Sequence, residues 1–149
     1  MLVIGGKTDK ATWTETVTAL NLLPWFRPGT MTKDPNGSSV ALQTDWEDCA
    51  PMNHKRANFA CLAMKNFVYV FGGISGLGKG VGEEHYPMMA APIERFMPIK
   101  NEWEVLNIAC APRLAAFAWC TLEEGKICIL GGSDGNLLNS DMFIIDFNE

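Results

Sequence analysis

The 149-residue chain contains no long apolar run, only two histidines and no cluster of basic residues. No stretch approaches the roughly 18 consecutive apolar residues that a membrane-crossing helix needs. Met1–Gly6 lacks the basic start and extended apolar core of a signal peptide, so a cytoplasmic protein with no membrane partner is expected. Lys and Arg number 12 against 17 Asp and Glu, giving a net charge of -5. A nucleic-acid partner is not expected, because phosphate recognition needs a basic face. Neither His54 nor His85 has a cysteine at ligand spacing, so no metal site is expected. The five cysteines, an odd number, include no C-x-x-C pair. Cys61, Cys120 and Cys128 fall within apolar runs and are expected to be reduced core residues.

What the chain does contain is an internal repeat, the feature that decides the fold when present. Three strand-like runs end in a glycine pair: Leu2–Gly6, Phe67–Gly73 and Lys126–Gly132. Trp46 and Trp103 each follow an acidic residue and each precede an arginine, Arg56 or Arg113, by the same distance. Each arginine opens a small, apolar run, 56–64 or 113–122, that leads into a run ending in Gly-Gly. Short apolar runs bounded by Gly, Pro and Asn read as buried strands. The polar breaks at 65–66 and 123–125 then make hairpins. A glycine pair suits the strand end, where the backbone must turn tightly. The tryptophan offers a flat body that fits between neighbouring sheets.

This arrangement resembles the kelch repeat, a unit of about 50 residues that builds one four-stranded propeller blade. The resemblance rests on Arg56, Gly72–Gly73 and Trp103 in one full unit. Gly5–Gly6 and Trp46 mark the unit before it, and Arg113 and Gly131–Gly132 the unit after it. It implies an all-β fold: a partial propeller of four-stranded antiparallel blades. Blade 1 is placed within 2–52 with a loop at 24–43, blade 2 at 56–108 with a loop at 74–90, and an incomplete blade 3 at 113–147. A third strand of blade 3 is expected at 141–146. Propellers have four to eight blades, and a lone repeat leaves its faces uncovered. The chain alone is therefore expected to be poorly stable, and completed by flanking sequence or another chain.

Several motifs invite a catalytic reading. Gly73–Gly80 follows a strand and nearly matches a phosphate-binding loop. Position 80 is Gly where a Ser or Thr should hold Mg²⁺, however, and Pro87 and Pro92 disfavour the helix that should follow. Glu83, Glu84 and His85 form an acid–base cluster on a glycine-rich stretch that would not hold catalytic geometry. Tyr69 and Cys128 occupy equivalent strands, but two poorly placed histidines do not make a copper site. No cofactor and no catalytic residue are expected.

The expected function is a non-catalytic protein–protein interaction module, a scaffold or adaptor that binds through propeller rim loops. A structural subunit of a large assembly, and a propeller enzyme acting on a small molecule such as a sugar, are the alternatives. Arg56 and Arg113 are candidate partner-binding residues, since an arginine fork grips carboxylates. The resemblance implies acidic ligands for arginines at this place. The reading set against this is that both bond to neighbouring carbonyls or acids and fix blade geometry, as most such contacts do. His54, Tyr86, Met88 and Met89 complete the candidate set, and Trp25, Phe26, Leu137 and Leu138 also fall in or beside connections. Aromatic and methionine side chains there suit interfaces.

Overall fold

The computed structural model describes residues 2–7, 12–20, 46–79, 85–89, 92–108, 111–123 and 125–147. The expected loop at 24–43, with Trp25 and Phe26, lies outside the described residues, as do Glu83, Glu84 and Cys110. Three antiparallel sheets and a separate hairpin make up the described residues, without a helix. The first sheet orders β1 (Leu2–Lys7), β2 (Trp13–Leu20) and β3 (Trp46–Cys49). The second holds β4 (Ala60–Met64), β5 (Phe67–Phe71), β8 (Ile93–Met97) and β9 (Glu102–Leu106). The third holds β10 (Ala118–Glu123), β11 (Lys126–Leu130) and β12 (Met142–Asp146).

Between the second strand of the middle sheet and its third, the chain makes a two-stranded excursion. It pairs β6 (Ile74–Lys79) with β7 (His85–Met89). This stretch is expected from sequence to be a loop. Its glycines at 76 and 78 hide the two-residue alternation by which a strand is recognised. Those same glycines make room: a Cβ on Gly78 would lie 2.5 Å from the Tyr86 ring opposite. Pro87 is tolerated because this small sheet consists of edges.

The sheets bury their faces against one another. Side chains alternate across a strand, so the middle sheet presents Val70 to the first sheet, beside Val17, Ile4 and Cys49. It presents Ala60, Phe71 and Ile93 to the third, beside Ile127, Ile129 and Ile145. Packing on both faces explains why β5 reads as an unbroken apolar run. Trp103 lies over Phe96, with ring centroids 5.0 Å apart, and its Nε1 donates to Ala50 O at 2.8 Å, tying the second sheet to the end of the first.

The glycine pairs form the seams. Gly6 N donates to Arg56 O at 2.9 Å, and Gly73 N donates to Leu114 O at 2.8 Å. Gly72 has φ +68°, and a Cβ there would sit 2.4 Å from Leu114 O and from the Phe117 ring. Only glycine allows both the left-handed backbone and that approach. The seams also correct the sequence register. Arg56 and Leu114 carry the equivalent carbonyls. Ala57 bridges Ile74 as Ala115 bridges Ser133, and Asn58 and Ala116 share φ values of 54° and 53°. Arg113 is thus equivalent to Lys55, and Leu114 to Arg56. The repeated arginine is displaced by one residue between the two units.

The cysteines also differ from expectation. Cys128 is buried, but Cys61 and Cys120 are exposed. In the third sheet both lie on the face turned away from the second sheet, Cys120 on the edge strand β10 and Cys128 on the central strand β11.

Candidate functional site

The crossover from the first sheet to the second, residues 50–56, is held from beneath by Glu94. Glu94 stands on β8 beside Val70, so its side chain points into the seam with the first sheet. It is 0% exposed, as is Arg56. Its Oε1 receives Arg56 Nη2 at 2.6 Å and the His54 amide at 3.1 Å, and lies 3.2 Å from His54 Nδ1. Oε2 receives the Asn53 amide at 2.7 Å. Arg56 further donates from Nη1 to Gly72 O at 3.1 Å and from Nη2 to Pro92 O at 3.0 Å. Burial draws the Arg56 guanidinium below its usual pKa, and the bond and charge of Glu94 oppose that. A buried pair of this kind depends on further hydrogen bonds to its members; here the Asn53 and His54 amides of the crossover meet the Glu94 oxygens, and the Gly72 and Pro92 carbonyls take Arg56 Nη1 and Nη2.

The clamp shapes a groove of about 840 Å³ above it. One wall is the start of β2, with Trp13 and Glu15; the floor is Met52, His54 and Lys55; the far wall is the hairpin, with Ser75, Leu77 and Met88. The loop after β11 extends the hairpin side. A Cβ on Gly135 would meet Pro87 O at 3.0 Å and the Met89 methyl at 3.2 Å. The tip of that loop is tied internally: Asp134 Oδ1 accepts the Asn136 and Leu137 amides at 2.8 Å each, and Ser133 Oγ donates to Leu137 O at 3.0 Å. Those amides, Leu137 first, hold the Asp134 carboxyl below its ordinary pKa. Leu77, Tyr86, Met88, Leu137 and Leu138 are exposed along this rim.

The sequence candidates separate accordingly. His54 and Met88 line the groove. Tyr86 is exposed on the same hairpin, over Gly78, while Met89 is half-buried against the Gly135 loop. Arg56 faces inward, its guanidinium bonded to Glu94, Gly72 and Pro92. Arg113 is exposed on the connection into the third sheet, outside the groove lining. Trp13, Lys55, Leu77 and Glu94 went unnoticed in sequence. Only Glu94 carried a signal, as a carboxylate within the otherwise buried run Ile93–Phe96.

Radially packed antiparallel sheets joined by glycine seams define a partial β-propeller. No family model matches the chain. Its sequence is 30% identical over 76 residues to an F-box/kelch-repeat protein of Arabidopsis thaliana, covering 51% of this chain and 19% of that protein. It is 28% identical over 93 residues to Kelch-like protein 33 of Homo sapiens, covering 62% of this chain and 15% of that one. The solved structure of YjhT, a kelch-type propeller, superposes with a TM-score of 0.56 at 19% identity, covering 89% of this chain and 34% of that chain. The chain thus spans less than a fifth of these curated relatives. Its sequence resembles kelch-repeat proteins, and its fold is part of a kelch-type propeller.

Proposed function

We propose that the chain is a non-catalytic protein-binding module that seats a segment of a partner protein along the rim groove. One observation carries this reading. Exposed Tyr86 and Met88 on one face, and exposed Leu77 on the other, stand beside the groove on a hairpin that the blade does not need for its own sheet. Apolar and aromatic side chains displayed together mark contact surfaces. The groove combines that apolar wall with Lys55, His54 and Glu15, which suits an extended segment of mixed apolar and charged residues. The names of the kelch-repeat relatives are consistent with a recognition module.

The test is selection from a displayed random-peptide library. Peptides that bind the folded chain should lose most of their affinity to Leu77→Asp and Met88→Asp, while both variants keep the parent's thermal midpoint. Selected peptides indifferent to both variants would overturn the reading.

A second reading, a subunit of a larger assembly, is favoured by the third sheet. Its outward face exposes Leu130, Met142 and Ile144, whereas the equivalent face of the second sheet is covered. Phe71 is 1% exposed; Leu130, at the same place in the next unit, is 45% exposed. Partner capture that is lost in Ile144→Lys but intact in Leu77→Asp would favour the assembly reading.

A further inference from the structure

Two of the cysteines are placed for chemistry that the binding surface does not use. Cys120 and Cys128 are direct cross-strand partners in the β10–β11 pair. Directly opposed residues on antiparallel strands have Cβ atoms about 4.5–5.5 Å apart, and a disulfide needs about 3.5–4.5 Å. A displacement of about 1 Å, within the reach of two short side chains, closes that gap. The Cys120 thiol is near enough to act on the ionisation of Cys128. Both sit on the face of the third sheet that is turned away from the second, where Cys120 is exposed and Cys128 is buried.

We propose that Cys120 and Cys128 form a redox-sensitive dithiol that closes to a cross-strand disulfide on exposure to a hydroperoxide. The asymmetry sets the order of events. Burial first, and then the Cys120 thiol, push Cys128 above its usual pKa, so the exposed Cys120 meets the oxidant. Its thiolate attacks the peroxide oxygen, taking up one oxygen as sulfenic acid and releasing the alcohol, or water from hydrogen peroxide. The Cys128 thiolate then attacks Sγ of that sulfenic acid; the S–O bond breaks, and hydroxide leaves with the Cys128 proton as water. Two thiols lose two electrons and the peroxide gains them. Because the link joins adjacent strands of one hairpin, the sheet keeps its fold in both states.

The proposal is tested on the unaltered chain by mild hydrogen peroxide treatment, alkylation of the remaining thiols and tryptic mapping. Cleavage after Arg113 and Lys126 puts Cys120 and Cys128 on separate fragments, 114–126 and 127–149. The expected result is a disulfide joining those two fragments, with loss of two of the five alkylatable thiols and full recovery by a dithiol reductant. Cys128→Ser should then stall at the Cys120 sulfenic acid, trapped by dimedone. Oxidation of Cys120 to sulfinic acid in the unaltered chain without the link, or links formed by Cys49 or Cys61 in its place, would overturn it. So would an unreacted pair under conditions that oxidise the exposed Cys61.

Discussion

Exchanging the buried ion pair for the residues that the next repeat uses in its place should be far less damaging than breaking the pair. Arg56 and Glu94 are both fully buried, 2.6 Å apart. At the equivalent places of the third sheet stand Leu114, buried, and Phe143, which is packed on the same apolar cluster. Arg56→Leu alone leaves the Glu94 carboxylate without its cation, and Glu94→Phe alone leaves a guanidinium among apolar groups. Breaking a buried pair in this way costs about 3–5 kcal/mol each. The double variant removes both charges. It still forfeits the acceptor of the Asn53 and His54 amides and the donors to the Gly72 and Pro92 carbonyls, about 0.5–1 kcal/mol each, with some overpacking by the larger ring. Additive singles would therefore lose about 6–10 kcal/mol, and the double should lose only about 3–5 kcal/mol. The assay is urea unfolding of all four proteins, comparing midpoints at constant slope. A double variant that loses the sum of the singles would refute the reasoning, since it would show that the two side chains do not act as a unit.

Three further outcomes follow from the seams and the rim. Gly72→Ala should destabilise by about 2–4 kcal/mol, through left-handed strain plus the clash with Leu114 O and Phe117. Gly131→Ala, with the same backbone angle but its nearest contact at 3.3 Å, should lose only about 1 kcal/mol by the same urea assay. Trp103→Phe should cost about 1–2 kcal/mol by removing the bond to Ala50 O, whereas Trp46→Phe, at a ring 46% exposed, should stay within about 0.5 kcal/mol. The folded-state pKa of Asp134 is depressed, so its contribution is complete above the ordinary carboxylate pKa and vanishes as pH falls through the lowered folded value. The Asn136 and Leu137 amide signals should therefore titrate together at a pH below that of an unstructured aspartate, and coincidence with the ordinary value would count against the ties seen at the loop tip.

Much of the fold was legible because a propeller seam makes demands that few residues meet. Gly-Gly after an apolar run requires a left-handed turn against a neighbour's carbonyl, and both seams meet that requirement. Trp46 and Trp103 open the fourth strands of their units in phase. The hairpin at 74–89 was not legible, because glycine at alternate positions carries no polarity from which to read a period. The groove was only partly legible. His54 and Met88 stood out by chemical type, but Trp13 and Leu77 reach it only through the packing of two sheets and a hairpin that are distant in sequence.

The displaced arginine shows where a repeat pattern stops being a structural one. Arg56 and Arg113 share a distance from their tryptophans, yet the backbone counts from the glycine seam, which puts Leu114 where Arg56 stands. The difference has a cause that the sequence also contains. An inward arginine needs an inward carboxylate, and the third strand of the middle sheet supplies Glu94. The third strand of the last sheet presents Phe143 at the same register. A guanidinium facing Phe143 would be buried without an anion, at a cost of several kcal/mol, so the chain turns Leu114 inward and leaves Arg113 outside. Pairing each candidate arginine with the residue opposite the middle of the second strand therefore decides which one braces the blade and which one is free to face solvent, a decision that equal spacing alone could not make.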